Sequence, residues 1–240
     1  MNTKYLLILP MFLTKSVFAV SQQDIDNAII KAATEVGVPS KILDAICYAE
    51  SEHNPYGYAF SDGGSVTNHA IGLCQVLYKT AVDYGFKDTR CKEDYRFRKE
   101  ERIQENCKLF DPYVNALYAA KYLKYQLKRY GNSWINSIAA YNSGSVKICK
   151  TGWVYSYRKE DSGEWNKTKL YKCEKGGLLN QRYVDRVLHA FLERNIRNDS
   201  GGLAEIQTIS DREEKTKALR RHIIELRKST NNKELASTDR

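Results

Sequence analysis

Residues that interrupt regular structure are scarce in this 240-residue chain, which has 4 prolines and 14 glycines. That scarcity excludes collagen-like and low-complexity chains. With 42% hydrophobic and 11% aromatic residues, the chain also carries too much apolar side chain to stay disordered. Several chemical motifs are missing as well: there is no C-x-x-C pair, no H-E-x-x-H and no G-x-x-x-x-G-K-[ST] loop. Zinc-ribbon, zincin and P-loop chemistry are set aside on that ground. Positive charge is in excess, 38 Lys+Arg against 29 Asp+Glu for a formal +9, yet it is scattered and forms no long basic run. A scattered excess argues against nucleic-acid binding. It suits a solvated basic surface, or attraction to an anionic polymer or cell surface.

What is present begins with a leader. Residues 1–19 read as a secretory signal, with Lys4 at the start, the apolar stretch Leu6-Leu7-Ile8-Leu9, and Val17-Phe18-Ala19 as a small-residue cleavage pattern. Pro10 interrupts the stretch and it is too short to span a bilayer, so the mature chain is expected to hold no transmembrane segment. Six cysteines follow it, Cys47, Cys74, Cys91, Cys107, Cys149 and Cys173. An even count behind a leader points to disulfides in an oxidising compartment. Many pairings fit six cysteines; the expected one joins Cys91 to Cys107 and Cys149 to Cys173, each closing a polar insertion, and leaves Cys47 with Cys74.

Helical periodicity dominates the rest. Ile25, Ala28, Ile29, Ala32 and Val36 predict a helix over Asp24–Val36 with Gly37 as its stop, and Ile42, Ala45, Ile46 and Ala49 predict a second one after Pro39. Tyr56–Ala70 reads as a loop and Lys87–Lys108 as a charged, irregular insertion. Asp111 caps a long helix with Pro112 in its first turn, ended by Gly131, and Ser133–Asn142 forms a short one. Gly144–Gly177 is a polar insertion of hairpin character. Tyr183, Val184, Val187, Leu188 and Phe191 place a closing helix over Leu178–Asn195. The expected organisation is a domain over 20–195 and a polar charged tail over 196–240. In that tail, Glu213–Lys228 fits either a charged helix or a solvated segment.

One position carries chemistry. Ile42, Ile46 and Glu50 are spaced four apart, so a carboxyl continues the apolar stripe of the second helix. Partial burial there raises its pKa, and a carboxylic acid that keeps its proton can protonate a leaving oxygen. The plainer alternative is a carboxylate turned to solvent or met by a buried arginine.

The surrounding motifs bear on that choice. Ala49-Glu50-Ser51-x-x-Asn54-Pro55, Gly72-Leu73-Cys74-Gln75-Val76, Leu109-Phe110-Asp111-Pro112-x-x-Asn115, Ala140-Tyr141-Asn142-Ser143-Gly144 and Tyr183-Val184-x-x-Val187 occur in that order. Together they resemble the soluble lytic transglycosylase (SLT) family over about Asp24 to Asn195. The resemblance implies a mainly α, α+β lysozyme-like fold with a long cleft and a small irregular or β-containing region. It implies peptidoglycan as substrate, the β-1,4 bond from N-acetylmuramic acid to N-acetylglucosamine as the bond cut, and 1,6-anhydromuramyl ends as products, hence a lyase that needs no metal or organic cofactor. Glu50 would be the catalytic acid, with Ser51, Gln75, Tyr141, Asn142 and Tyr183 contacting substrate or shaping the site. Ser51 would bond to Glu50 or to a sugar N-acetyl group, and Tyr183 would aim its hydroxyl at Glu50. Cys74 departs from the family's usual Met.

The nearest rival is a lysozyme-type hydrolase that pairs Glu50 with Asp62 or Glu52. A different class is a non-catalytic glycan-binding or structural part of an envelope-spanning machine. A combined role is a dedicated transglycosylase, periplasmic or envelope-associated, that serves a secretion, conjugation or pilus apparatus through its tail or insertions. A metal site at His53 and His69 is the weakest rival, since the motif for one is missing.

Overall fold

The computed structural model describes residues 20–59, 69–92, 107–159, 165–195, 206, 208–211, 214–219 and 221–222. The expected leader, Asp62, most of the Lys87–Lys108 insertion and much of the tail lie outside the described residues.

Six helices carry the described architecture. Helix α1 (Gln22–Val36) starts at a capping box: Ser21 Oγ accepts from the Asp24 backbone N–H while Asp24 accepts from the Ser21 N–H. Its buried face is Ile25, Ile29, Ala32, Ala33 and Val36, and it stops at Gly37, whose φ of 74° suits glycine. Helix α2 (Ser40–Ser51) buries Ile42, Leu43, Ala45, Ile46 and Cys47. A small antiparallel sheet follows, β1 (Tyr58–Ala59), β2 (Ala70–Ile71) and β3 (Val76–Leu77), in that order with Ile71 opposite both Tyr58 and Val76. Helix α3 (Tyr78–Asp83) leads away from it.

Helix α4 (Pro112–Arg129) is capped by Asp111, whose Oδ1 accepts from the Val114 N–H at 2.8 Å. It runs through the centre and packs on α1 and on α5 (Trp134–Ser143). Two strands, β4 (Trp153–Lys159) and β5 (Trp165–Lys172), form a separate antiparallel hairpin inside the polar insertion. Helix α6 (Gln181–Asn195) then packs against α2.

Leu43, Ile46, Ile71, Leu73, Leu123, Ile138, Leu188 and Leu192 are at most 1% exposed, and each such side chain contributes about 1.5–3 kcal/mol by leaving water. Disulfides join Cys47 to Cys74, Cys91 to Cys107 and Cys149 to Cys173. Beyond Asn195 the composition suggests a tail, yet residues 214–219 and 221–222 are helical and Leu219 is fully buried. Thr216 Oγ1 lies 3.1 Å from His189 Nε2 on α6, so this piece seats on the domain. Among the described residues no helix is long and apolar enough to cross a membrane.

Candidate active site

Glu50 sits in the last turn of α2, where the stripe of Ile42 and Ile46 emerges from the core into a cleft. Burial raises its pKa above the ordinary carboxyl range, against the opposing pull of the Tyr183 hydroxyl and of the Arg186 charge. Tyr183 Oη donates to Glu50 Oε1 at 2.6 Å across 133 residues of sequence. Burial first, then the neighbouring Glu50, hold the Tyr183 hydroxyl well above its ordinary pKa, so it remains a donor. The expected contact is realised, and the Tyr183 ring is at the same time part of the core, only 6% exposed.

Glu50 lines two cavities. One, of about 740 Å³, has Gln75, Tyr122, Tyr141 and Asn142 in its wall. The other, of about 830 Å³, lies toward α6 and the seated C-terminal piece, with Arg182, Arg186, Ser210 and Lys215 in its wall. Gln75 and Asn142 are thus brought to the same cavity as Glu50. Gln75 is also anchored, its Nε2 donating to the Gly72 carbonyl at 2.9 Å. Asn142 is exposed at the end of α5, and its Oδ1 accepts from Asn180 Nδ2 at 3.1 Å. Tyr141 is buried and donates to the Cys74 carbonyl at 3.0 Å, tying α5 to the Gly72–Gln75 turn. Ser51 does not bond to Glu50: its hydroxyl donates to the Leu73 carbonyl at 2.6 Å. A serine in the last turn of α2 faces the turn that packs there, so its hydroxyl satisfies a backbone acceptor.

Two residues that hold this turn went unassigned in the sequence. Asn115, fully buried in α4, accepts from the Cys74 N–H at 2.8 Å and donates to the carbonyls of Ile71 and Leu109, each at 2.8 Å. Gly72 has φ of 74°, and a Cβ there would stand 2.4 Å from the Leu109 oxygen. The disulfide from Cys47 to Cys74 adds a covalent tie between the turn and α2, one helical turn before Glu50. Asn115 stands in the Leu109-Phe110-Asp111-Pro112-x-x-Asn115 motif, which marks the residue but gives no role for it.

The end of α2 is tied on its other side. Glu52 and His53 have φ of 55° and 63°, the left-handed region that non-glycine residues seldom occupy. His53 is 4% exposed. Gln22 Nε2 donates to Asp26 Oδ1 at 2.7 Å and to His53 Nδ1 at 2.9 Å, which leaves His53 Nε2 to donate to Asp44 Oδ1 at 3.1 Å. Arg194 of α6 donates to Asp44 Oδ2 at 2.5 Å and to Asp26 Oδ1 at 3.0 Å. Burial opposes the Asp44 charge most, but its bonds to His53 and Arg194 prevail and hold its carboxyl below the ordinary range. Asp26, Asp44 and His53 have the donor types of a metal site, but the Arg194 guanidinium supplies the positive charge between them. His69, the other histidine considered, is buried against the Tyr58 hydroxyl.

A helical domain with a small sheet, a cleft and an acid at the end of a buried helix defines a lysozyme-like fold. Comparison with known families gives the same result: the Transglycosylase SLT domain matches residues 27–161, more than half of the chain. The chain belongs to that family. Membership gives it a peptidoglycan-acting function of the lytic-transglycosylase or lysozyme-like kind. Tyr183 and the rest of α6 lie beyond the matched span, yet they complete the Glu50 wall.

Proposed function

We propose that this chain is a peptidoglycan lytic transglycosylase that cleaves the β-1,4 bond between N-acetylmuramic acid and N-acetylglucosamine and leaves 1,6-anhydromuramyl ends. The observation that carries this is Glu50 itself, a partly buried carboxyl with a raised pKa, oriented by the Tyr183 hydroxyl. In the Gln75, Tyr141 and Asn142 cavity, Glu50 is the one carboxyl among the described lining residues. A transglycosylase needs a single carboxyl, whereas most glycoside hydrolases need two.

Glu50 donates its proton to the departing glycosidic oxygen as the C1–O bond breaks, and the substrate's N-acetyl group stabilises the sugar cation. The Glu50 carboxylate then takes the proton of the muramyl 6-hydroxyl, whose oxygen bonds to C1. The nucleophile belongs to the substrate, so its effective concentration is already high. Gln75 and Asn142 contact the sugar amides, and Tyr141 and Ser51 act through the turn that carries Gln75.

The rival hydrolase would need Glu52 or Asp62 beside Glu50. Glu52 is exposed and shares only the larger cavity with Glu50, not the one with Gln75 and Asn142, while Asp62 lies outside the described residues. The leader at 1–19 would carry the chain across the inner membrane to a periplasmic site. The basic charge of +9 and the segment after Asn195 suit docking on a secretion, conjugation or pilus apparatus.

Mass spectrometry of the fragments released from peptidoglycan tests the reading, with the native chain run beside Glu50→Gln. Anhydromuramyl ends from the native chain, and almost none from the variant, are expected. Reducing ends instead would make the protein a hydrolase.

A further inference from the structure

Two arginines beside Glu50 have no salt-bridge partner among the described residues. Arg182 and Arg186 stand one turn apart on the exposed face of α6. Among the described residues neither guanidinium forms an ion pair or a hydrogen bond. The acid between them, Asp185, is engaged by Gln181 Nε2 at 2.8 Å. Each guanidinium instead lies against a tyrosine ring, Arg182 at 4.4 Å from the Tyr171 centroid and Arg186 at 5.4 Å from that of Tyr183.

Such stacking restrains a guanidinium yet leaves its N–H edge free, which prepares it to receive a planar carboxylate through two parallel hydrogen bonds. The position is as informative as the chemistry. Both arginines line the 830 Å³ cavity that contains Glu50. Both also line a smaller, open hollow of about 300 Å³ with Asn142, Tyr171, Asn180 and Tyr183, where the hairpin meets the cleft. Tyr171 belongs to β5, and its hydroxyl donates to the Leu179 carbonyl at 3.3 Å, so the polar insertion forms one wall of this hollow.

We infer that Arg182 and Arg186, with Tyr171 of the hairpin, form an anion subsite that receives a carboxylate borne on the lactyl group of the muramyl sugar being cleaved or of its neighbour. The inference rests on the reading of the cleft as a glycan-strand site. The carboxylate has two possible sources: a stem peptide, or the lactyl acid itself where the peptide has been removed. In either case the subsite makes the protein prefer strands whose carboxylates are free over strands whose carboxylates are amidated.

The test uses the full chain and four purified glycan-strand preparations: peptide-bearing, peptide-free, and each of these with its carboxylates converted to methyl amides. The native chain is expected to cleave free-carboxylate strands about tenfold better in kcat/KM than the amidated partners, mainly through KM. In Arg182→Gln that ratio is expected to fall to within about twofold, and in Arg182→Lys, which keeps the charge but not the fork, to an intermediate value. A preference seen with peptide-free strands assigns the lactyl acid. One confined to peptide-bearing strands assigns the stem peptide. A native chain that cleaves both members of each pair equally overturns the subsite and leaves the lytic reading standing, as does an Arg182→Gln variant that keeps the full preference. If the native chain cleaves nothing, strand binding by the folded proteins decides. Carboxylate-dependent binding that Arg182→Gln weakens about tenfold keeps the subsite while the lytic reading falls, and binding indifferent to both overturns it.

Discussion

The two ends of the cleft are built differently. Around Glu50 the structure is buried and multiply tied: a disulfide to the Gly72–Gln75 turn, the hydrogen bonds of Asn115, and the Asp44, His53 and Arg194 network all bear on one helix end. The hairpin is the opposite. Its described side chains are exposed or half-exposed, and it is held by one disulfide and by lysines stacked on rings, with Lys167 Nζ at 3.9 Å from the Tyr155 centroid and Lys169 Nζ at 4.8 Å from that of Trp153. A wall that must hold one carboxyl in place is over-determined, whereas a wall that meets a variable part of a ligand is left adaptable.

The sharpest way to break this contrast is at Glu50. Glu50→Gln is expected to lower the rate of strand cleavage by at least about 1,000-fold, since in the proposed mechanism acid and base are one group. Stability should move the other way. The raised pKa means that the folded state holds a proton that the unfolded state releases, so stability declines as pH rises from the ordinary carboxyl value through the raised one. Glu50→Gln should therefore melt higher than the native chain at about pH 7 and with it at about pH 3, as read by thermal scans.

Next in size are the ties. Asn115→Ala strands three buried backbone groups and should cost about 3 kcal/mol, read as a fall in Tm of about 10 °C. Serine at both Cys47 and Cys74 should cost a similar amount, about 3 kcal/mol for a loop of this length. Tyr183→Phe should lower kcat by about tenfold. The lost hydrogen bond favoured the charged carboxylate, so the alkaline limb of the pH–rate profile should move upward in the same variant. At the hairpin the same kinds of change should do less. Serine at Cys149 and Cys173 should lower Tm by less than about 3 °C while it speeds proteolysis within the insertion. Lys167→Ala should stay within about 0.5 kcal/mol, and a loss of several kcal/mol there would end the contrast.

Much of the helical frame is legible in the sequence. The end of α1 and the start of α4 follow from Gly37, Asp111 and Pro112, whose backbone preferences are local, whereas α1 starts at its Ser21 cap, two residues before the expected Asp24. The stripe of Ile42, Ile46 and Glu50 is legible for the same reason, because spacing on a helix needs no tertiary knowledge. Ser51 is less legible. The resemblance implies a bond from it to Glu50 or to a sugar N-acetyl group; the bond to Glu50 does not form, and the hydroxyl donates to the Leu73 carbonyl. Asn115 lies in a quoted motif, but its role depends on three backbone groups from segments that are remote in sequence or outside its own helix. For the C-terminal piece the composition leaves a charged helix and a solvated segment both open; 214–219 are helical, with Ala218 and Leu219 buried and Thr216 beside His189 of α6.

By itself the sequence determines the helices, the position of a carboxyl at the edge of an apolar stripe, and the order of motifs that places the chain in its family. These depend on neighbours within a turn or two, where local sterics and periodicity decide. The tertiary structure alone selects among the cysteine pairings, brings Tyr183 to Glu50, turns Glu52 and His53 left-handed, and sets Arg182 and Arg186 beside the cleft with no salt bridge among the described residues. Those features depend on groups far apart in the chain, and only packing, which settles which of them lose water together, can choose among the many partners that the composition allows.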